Sequence, residues 1–401
     1  MLIDISKQLK GFLKKIFIDN HLFSNNFRFS KTSQSFISNI IKLMLESQDI
    51  IKYTKIDTQH IENIPKGYDF NYIPKDISQT IENTENKCYL YSFELLKKKY
   101  QIAFIYPIKN KKVNYLKRLH KIISWLYIAN HYASKSCSQK MNIYIYFTDF
   151  KKVLPTSEKT INRENANTAF TTSCQTVTEI NLYREEEWFK VFIHETFHNL
   201  GLDFSEVDDK SSRNAILKFF PINSEVKLFE TYCEIWAEII NILFISFDSI
   251  VENNSNTIEN IIKKSEEMIT YEILFSLFQS VKIINFMGLE YKDLYENSEK
   301  SKKSRDIKYK ETANVLSYYI LKSILFFKLN NFIEWCVIHN KSSLNFNKTN
   351  ENILQFCNLI REHYTDIEYL NSIDKIQKWF KENNKCNYEC KTLRMTLFEN
   401  A

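Results

Sequence analysis

Residues 185–204 read EEEWFKVFIHETFHNLGLDF, and this stretch constrains the fold of the 401-residue chain more than any other. It begins with three glutamates after a strand-like run and ends at Gly201, one of only four glycines in the sequence. Acidic residues suit the first turn of a helix, where they oppose the positive end of its dipole, and glycine suits the left-handed residue that ends one. The stretch is therefore predicted to be a helix that follows a strand.

The sequence His194-Glu195-Thr196-Phe197-His198 lies inside this helix and has the form HExxH. The two histidines are four residues apart and share one helix face, so their imidazoles can bind one metal ion. The glutamate lies about 100° further round the helix and can reach a water molecule on that metal without being a ligand. The alternative is a chance motif on an amphipathic helix; the helical context favours the metal site.

A catalytic zinc ion needs a third protein ligand, because such sites leave only the fourth position to water. A third histidine is absent, since the position three beyond Gly201 is Phe204. The neighbouring Asp203 could cap the turn after the helix or form a hydrogen bond near the site, and the cap is favoured. The segment LFETYCEIWAEIINILF instead places three carboxylates on one face of a predicted helix, among apolar residues where burial is costly without compensation. These candidates are Glu230, Glu234 and Glu238.

HExxH and the downstream carboxylates resemble the gluzincin metallopeptidases, in which a second helix carries a glutamate ligand and, four residues later, an acid that orients a zinc-binding histidine. The chain reads EIWAE from Glu234 onward. The resemblance therefore implies that Glu234 is the third ligand and that Glu238 holds His194. A second register, with Glu230 as the ligand and Glu234 behind it, stays open. The first is preferred because the small Ala237 beside the acid is familiar from the family pattern.

The resemblance also implies one Zn²⁺ per chain, hydrolysis of peptide bonds in a protein or peptide substrate, and Glu195 as the general base. Gluzincins use a downstream tyrosine or histidine to stabilise the negatively charged oxygen of the intermediate. Tyr318, Tyr319 and His339 are the candidates, although packing is the commoner role for any one tyrosine in a chain with 23 of them. The alternative function is a catalytically silent zincin-fold protein that serves in binding or as a virion component; the intact Glu195 argues against it.

The predicted fold class is α+β. From residue 88 two strand-like runs are joined by a lysine-rich turn, and a helix with one apolar stripe follows. The resemblance covers roughly residues 88–248 and implies a zincin-like architecture, namely a small mixed sheet, a backing helix, an edge strand in NTAFTTS that binds an extended peptide, and the active-site helix. Further strands are predicted at 141–150 and 176–184, and long helices at 224–248, 256–287, 309–338 and 350–381.

Three parts are predicted along the chain. Residues 1–86 form an N-terminal helical appendage or pro-like segment, 87–205 the sheet with the HExxH helix, and 206–401 a mainly helical part that carries the third ligand. Whether the first part inhibits the site is left open by the sequence, and Cys88 as a thiolate that blocks the zinc is disfavoured.

Composition limits which partners and which cellular compartment are expected. The net charge is +6, and the most basic stretches lack interleaved aromatic residues, so no nucleic-acid partner is expected. No apolar run reaches the roughly 18 residues that span a bilayer, which predicts a soluble protein without a transmembrane segment. Eight scattered cysteines without an export signal favour free thiols in a reducing compartment, the cytoplasm of a cell or an infected host cell. Cys386 and Cys390 are spaced for neither a zinc knuckle nor a redox pair.

Residues 185–204 also resemble uncharacterised zincin-like proteins of large DNA viruses, which would allow packaging in a virion. The sequence leaves the cleavage specificity and the oligomeric state open.

Overall fold

The computed structural model describes residues 2–23, 26–108, 114–156, 160–251, 257–383 and 387–400. Its strands are Asp57–Ile61 (β1), Asn86–Leu95 (β2), Lys98–Pro107 (β3), Lys140–Tyr146 (β4), Ala169–Thr171 (β5) and Val177–Leu182 (β6). Its α-helices are Asp4–Leu13 (α1), Lys31–Tyr53 (α2), Lys75–Asn83 (α3), Tyr115–Asn130 (α4), Arg163–Ala166 (α5), Trp188–Asn199 (α6), Lys210–Leu217 (α7), Leu228–Val251 (α8), Ile258–Phe286 (α9), Glu299–Lys308 (α10), Lys322–Phe327 (α11), Leu329–His339 (α12), Asn350–His363 (α13) and Ile367–Glu382 (α14). The predicted α+β class is confirmed.

The six strands form one mixed sheet in the order β1-β2-β3-β4-β6-β5. Strands β1, β2 and β3 are antiparallel neighbours, and β3, β4 and β6 are parallel. The predicted hairpin is β2 and β3, whose turn residues Leu96 and Lys97 both have positive φ, as a tight hairpin turn requires.

Strand β5 lies at one edge of the sheet and is antiparallel to β6, with Ala169 opposite Leu182 and Thr171 opposite Ile180. No other strand of the described ranges pairs with β5. The prediction of an edge strand within residues 167–173 is therefore confirmed, and one row of its main-chain groups faces away from the sheet.

The sheet is covered on both faces because its central strands alternate apolar side chains. Ile102 and Phe104 of β3 lie in the main core with α4 and α6, whereas Ile105 lies in a smaller cluster with α3. Helix α4 also joins α6 directly, since the Trp125 indole N–H donates to the Thr196 hydroxyl at 2.6 Å. The predicted backing helix therefore supports the helix that carries HExxH.

The N-terminal helices contribute to the same main core, where Leu9 of α1 and Phe36 and Ile37 of α2 are buried. Strand β1 extends the sheet beyond β2. Residues 1–86, predicted as an appendage, thus supply helices and a strand to the body of the protein.

The predicted helix at 309–338 is divided in the structure. A π-helical turn, Leu316–Leu321, precedes α11, and Lys328 leaves helical geometry between α11 and α12. Such π-turns widen a helix locally and are frequent at functional sites.

Residues 391–400, termed the interior segment, run through the core with 392–398 buried, and no local pattern predicts this. Two buried carboxylates accept hydrogen bonds from its main chain: Glu187 binds the N–H groups of residues 395 and 396, and Glu272 those of 397 and 398. Buried carboxylates need such donors, because an unpaired buried charge is very costly.

The cysteines differ from the expectation of free thiols throughout. Cys137 and Cys174 form a disulfide, and Cys390 is disulfide-bonded as well; Cys386 lies outside the described residues. Four others are free and buried: Cys88, Cys233, Cys336 and Cys357. The expected reducing compartment loses part of its support. In the described part of the chain no helix is long and apolar enough to cross a membrane.

Candidate metal centre

Helix α6 ends as the sequence predicts. Gly201 adopts φ +62°, its N–H donates to the His198 carbonyl at 3.1 Å, and the Leu202 N–H donates to the Phe197 carbonyl at 2.8 Å. This pair of bonds is the Schellman termination, which favours glycine at the left-handed position. It fixes the direction in which the chain leaves the second histidine.

The start of α6 differs from the prediction. Glu185, Glu186 and Glu187 precede the helix and do not occupy its first turn. Glu185 pairs with Arg118 at 2.6 Å, whereas the other two are buried and bind main-chain N–H groups. Their buried partners, which lie far away in sequence, decide their role more than the helix dipole does.

Three donor atoms converge beside α6. His194 Nε2 lies 3.0 Å from Glu230 Oε2, His198 Nε2 lies 3.4 Å from the same oxygen, and the two Nε2 atoms are 3.2 Å apart. Glu230 belongs to the first turn of α8, which packs against α6. The three residues form a group that could hold a metal ion.

The other ring nitrogen of each histidine faces a carboxylate. His194 Nδ1 lies 3.0 Å from Glu234 Oε2, and His198 Nδ1 lies 2.6 Å from Asp203 Oδ2. A carboxylate accepts, so each Nδ1 carries a hydrogen, and each Nε2 would be the atom that binds a metal ion held among the three residues. Of the two roles open to Asp203, the structure therefore shows the hydrogen bond near the site and not the favoured turn cap.

The structure departs from the preferred register of the glutamates by one helical turn. Glu234 lies between the Lys190 ammonium and His194 Nδ1, away from both Nε2 atoms. Glu238 binds Lys322 Nζ at 2.6 Å, and no hydrogen bond joins it to an imidazole in the described ranges. The second register, with Glu230 in front and Glu234 behind, matches these positions. The rotation of α8 relative to α6 decides this, and the EIWAE pattern does not encode it.

The donor set fits zinc. Ligand atoms at 2.0–2.1 Å from a tetrahedral ion lie about 3.3 Å from one another, and the three separations are 3.0, 3.2 and 3.4 Å. Three lone-pair donors this close repel one another unless a cation lies among them. Protons provide that charge when no metal does: although burial lowers the pKa of His198, Cys233, Asp203 and Glu230 raise it well above its ordinary value.

Glu195 lies beside the metal centre without joining it. Its side chain lines the cleft next to His194, and only 8 % of the residue is exposed. Burial raises the pKa of Glu195, against the opposing effect of the two histidines. A raised pKa makes this carboxylate a stronger base than one in water.

The tyrosine candidates separate clearly. Tyr318, on the π-helical turn, lines the cleft, and its ring centroid lies 5.9 Å from that of His194. Tyr319 points the other way and donates to the Leu393 carbonyl at 2.6 Å, so its predicted catalytic role is not supported. His339 stacks on Trp335 and does not line the cleft.

The metal centre opens into a cleft of about 360 Å³. Edge strand β5 lines the cleft, together with Lys227 and Phe229 just before and at the start of α8. A small extension of about 40 Å³ adjoins it beside Lys190 and Met395. The lining carboxylates are Glu195 and Glu230, whereas Arg163 and Lys227 add positive charge.

Comparison with known proteins yields no relative. No protein-family model matches the chain, and neither a curated protein nor a solved structure matches it. The functional interpretation therefore depends on the geometry of the centre and on the motif.

The sequence did not single out Lys190, and for Asp203 it favoured a role other than the one observed. Asp203 follows the motif at a short distance, but its carboxylate is brought to His198 by the turn at Gly201. Lys190 precedes His194 by one helical turn, and its spacing was the available signal. A lysine one turn before HExxH lies on the same helix face as the first histidine. Because its neighbours in sequence are apolar, it is expected to be buried, and a buried ammonium needs an anion as its partner.

The buried pair of Glu187 and Lys152 predicts acid-dependent stability. Burial raises the pKa of Glu187, but Lys152, Arg394 and Lys190 outweigh it and lower the pKa to about 2 from 4.5. The group therefore stabilises the fold above about pH 4.5, and this contribution is lost as the pH falls towards 2. Glu187→Gln should cost about 3 kcal/mol at pH 7, measured by urea unfolding.

The cost of Glu187→Gln should shrink at pH 3, because the unfolded chain is then protonated at Glu187 and the ionised side chain contributes less to the stability of the wild type. Glu185→Gln, which removes a partly exposed pair, is the matched control and should cost under about 1 kcal/mol. An equal cost of Glu187→Gln at both pH values would contradict the assignment.

Proposed function

We propose that the protein is a zinc-dependent metallopeptidase of gluzincin type. The observation that carries the proposal is the triangle of His194 Nε2, His198 Nε2 and Glu230 Oε2, with separations of 3.0 to 3.4 Å. A chance HExxH on a structural helix has no reason to meet a third donor at this spacing. The adjoining Glu195 and the edge strand are the other parts that such an enzyme needs.

Each residue then has a defined task. A bound zinc ion would supply Lewis acidity, which makes water more acidic and polarises a carbonyl group. Glu195 accepts the proton of the attacking water and passes it to the leaving amine. Glu234 and Asp203 hold the imidazoles in orientation, and the outer main-chain groups of β5 bind an extended peptide as an added strand.

Metal analysis and a cleavage screen test the proposal together. Purified wild type should contain about one zinc per chain and cleave peptides from a proteome-derived library, and chelation should abolish cleavage. His198→Ala should lose both properties. His339→Ala, outside the cleft, is the control and should keep both. Wild type without zinc and without cleavage would refute the proposal, and zinc without cleavage would favour the catalytically silent alternative.

Tyr318→Phe should lower kcat about 10²- to 10³-fold, the usual effect of removing a donor to the developing oxyanion. KM and zinc content should change little, since the hydroxyl is proposed to act in the transition state. Tyr319→Phe, which alters a buried neighbour directed elsewhere, is the control and should keep kcat. Equal kcat for Tyr318→Phe and wild type would remove this tyrosine from the mechanism.

The positive charge of Lys227 in the cleft predicts a preference for substrates with acidic side chains. Lys227 lies three residues before Glu230 and lines the cleft. Lys227→Glu should therefore change the ratio of kcat/KM between glutamate- and lysine-containing peptides by about 5- to 30-fold in favour of lysine. Lys263→Glu, an exposed position on α9, should leave the ratio unchanged. An unchanged ratio in Lys227→Glu would show that this lysine does not contribute to selectivity.

A further inference from the structure

Lys190 is a buried lysine on the helix of the metal centre. It lies one turn before His194 on α6, only 2 % of it is exposed, and its ammonium donates to Glu234 Oε1. The other oxygen of Glu234 accepts from His194 Nδ1. Lys190, Glu234 and His194 thus form a continuous chain of charge-assisted hydrogen bonds that ends at the metal centre.

The position of Lys190 makes physical sense through Glu234. That carboxylate is 1 % exposed, so its orientation depends on the few groups packed around it. The ammonium of Lys190 holds Oε1, and Oε2 faces His194 Nδ1 at 3.0 Å. A carboxylate held at one oxygen by a charged donor keeps its second oxygen in place, and that oxygen then fixes the orientation of the imidazole.

Few other hydrogen-bond acceptors surround the Lys190 ammonium. Met395 Sδ lies 3.6 Å from its Nζ, and Glu187 is the next carboxylate in its surroundings. Glu187 is itself paired with Lys152 and with the interior segment. Glu234 is therefore the carboxylate partner of the Lys190 ammonium.

We propose that Lys190 is a positioning residue for the metal centre and that it acts through Glu234 to fix the ring orientation of His194. The inference rests on the proposed metal centre and deepens it. A buried ion pair is often no more stable than an apolar pair of the same volume, so its presence here has its reason in the histidine that it orients.

A second buried pair of a lysine and a glutamate, whose glutamate lies on α8 as Glu234 does, supplies a matched control. Lys322 binds Glu238, one turn further along α8 than Glu234, and both side chains are fully buried. This pair joins the same two types of side chain and is even less exposed than the Lys190 pair. It differs in making no hydrogen bond to a histidine within the described residues. Loss of Lys322 therefore reports the general cost of removing a buried cation.

The experiment measures zinc affinity by competition with a chelator in Lys190→Met, Lys322→Met and wild type, with urea unfolding of each metal-free protein. Lys190→Met should weaken zinc binding about 10- to 100-fold, the usual effect of a residue behind a metal ligand. Lys322→Met should lose stability and keep its zinc affinity within a few-fold. Equal zinc affinity in folded Lys190→Met and wild type would overturn the inference.

A double variant keeps the test decisive if Lys190→Met fails to fold. Lys190→Met with Glu234→Gln removes both buried charges and should be better tolerated. Its zinc affinity should equal that of Glu234→Gln alone, because the lysine has nothing left to act through. A further loss beyond Glu234→Gln would show that Lys190 acts by another route, and would overturn the inference.

The tautomer of His194, read from ¹⁵N chemical shifts of the metal-free protein at high pH, separates the two proposals. The hydrogen should lie on Nδ1 in wild type and Lys322→Met, and its preference for Nδ1 should be lost in Lys190→Met. If wild type binds no zinc but Lys190→Met loses the preference for Nδ1, the metallopeptidase is refuted and the role of Lys190 is retained. If wild type binds zinc and the tautomer is unchanged in Lys190→Met, the role of Lys190 is refuted and the metallopeptidase is retained.

Discussion

Glu195→Gln is expected to lower kcat for peptide hydrolysis by about 10²- to 10⁴-fold, the range found when a general base is removed. Glutamine has nearly the same shape but accepts no proton at neutral pH. Because the side chain lies beside the three donor atoms and is not one of them, the zinc content should stay at about one per chain. Initial rates and metal analysis of the same preparation measure both quantities.

Glu259→Gln, an exposed substitution on α9, is the control for Glu195→Gln and should leave kcat unchanged. Full activity in Glu195→Gln would exclude this carboxylate as the base. Loss of zinc together with activity would mean that Glu195 holds the metal, which contradicts the separation of roles proposed for the centre.

The three glutamates of α8 should differ sharply in their effect on zinc affinity. Glu230→Gln removes the third donor and should raise Kd by more than about 100-fold, beyond the range of residues that only orient a ligand. Glu234→Gln should raise it about 10- to 100-fold. Glu238→Gln should stay near wild type, since its partner is Lys322. Chelator competition gives the three values.

The order of these effects decides the register independently of their size. If Glu234 were the ligand and Glu238 the acid behind it, Glu234→Gln would weaken binding most and Glu230→Gln least. Unfolding curves of the metal-free variants serve as the control, because a general loss of stability would affect Glu238→Gln at least as strongly as Glu230→Gln.

The sequence predicted the elements better than their mutual positions. HExxH, the helix around it, the cap at Gly201 and the strand within residues 167–173 follow from local patterns, since spacing and glycine act over a few residues. The position of that strand at the edge of the sheet came from the family resemblance. The α+β class follows from the same periodicities. What local patterns could not supply is the rotation of α8, which decides whether Glu230 or Glu234 faces the two histidines.

Long-range contacts account for the remaining differences. Asp203 reaches His198 only because of the turn that follows α6, and Tyr318 rather than Tyr319 faces the cleft because of a π-helical turn. Glu187 is of a residue type that favours the start of a helix. Its partners in the structure are nevertheless Lys152 and the main chain of the interior segment. None of these pairs has a spacing that a single sequence reveals.

The interior segment has a consequence for the use of fragments. A piece that covers residues 88–248 contains both histidines, Glu195 and all three glutamates of α8, but it lacks the N–H donors that Glu187 uses and the ammonium that neutralises Glu238. Those anions would then face an apolar interior or take up protons. A nascent chain at the same stage has the same deficit. Formation of the proposed metal centre should therefore require residues 391–400, and a fragment made to test it must include them.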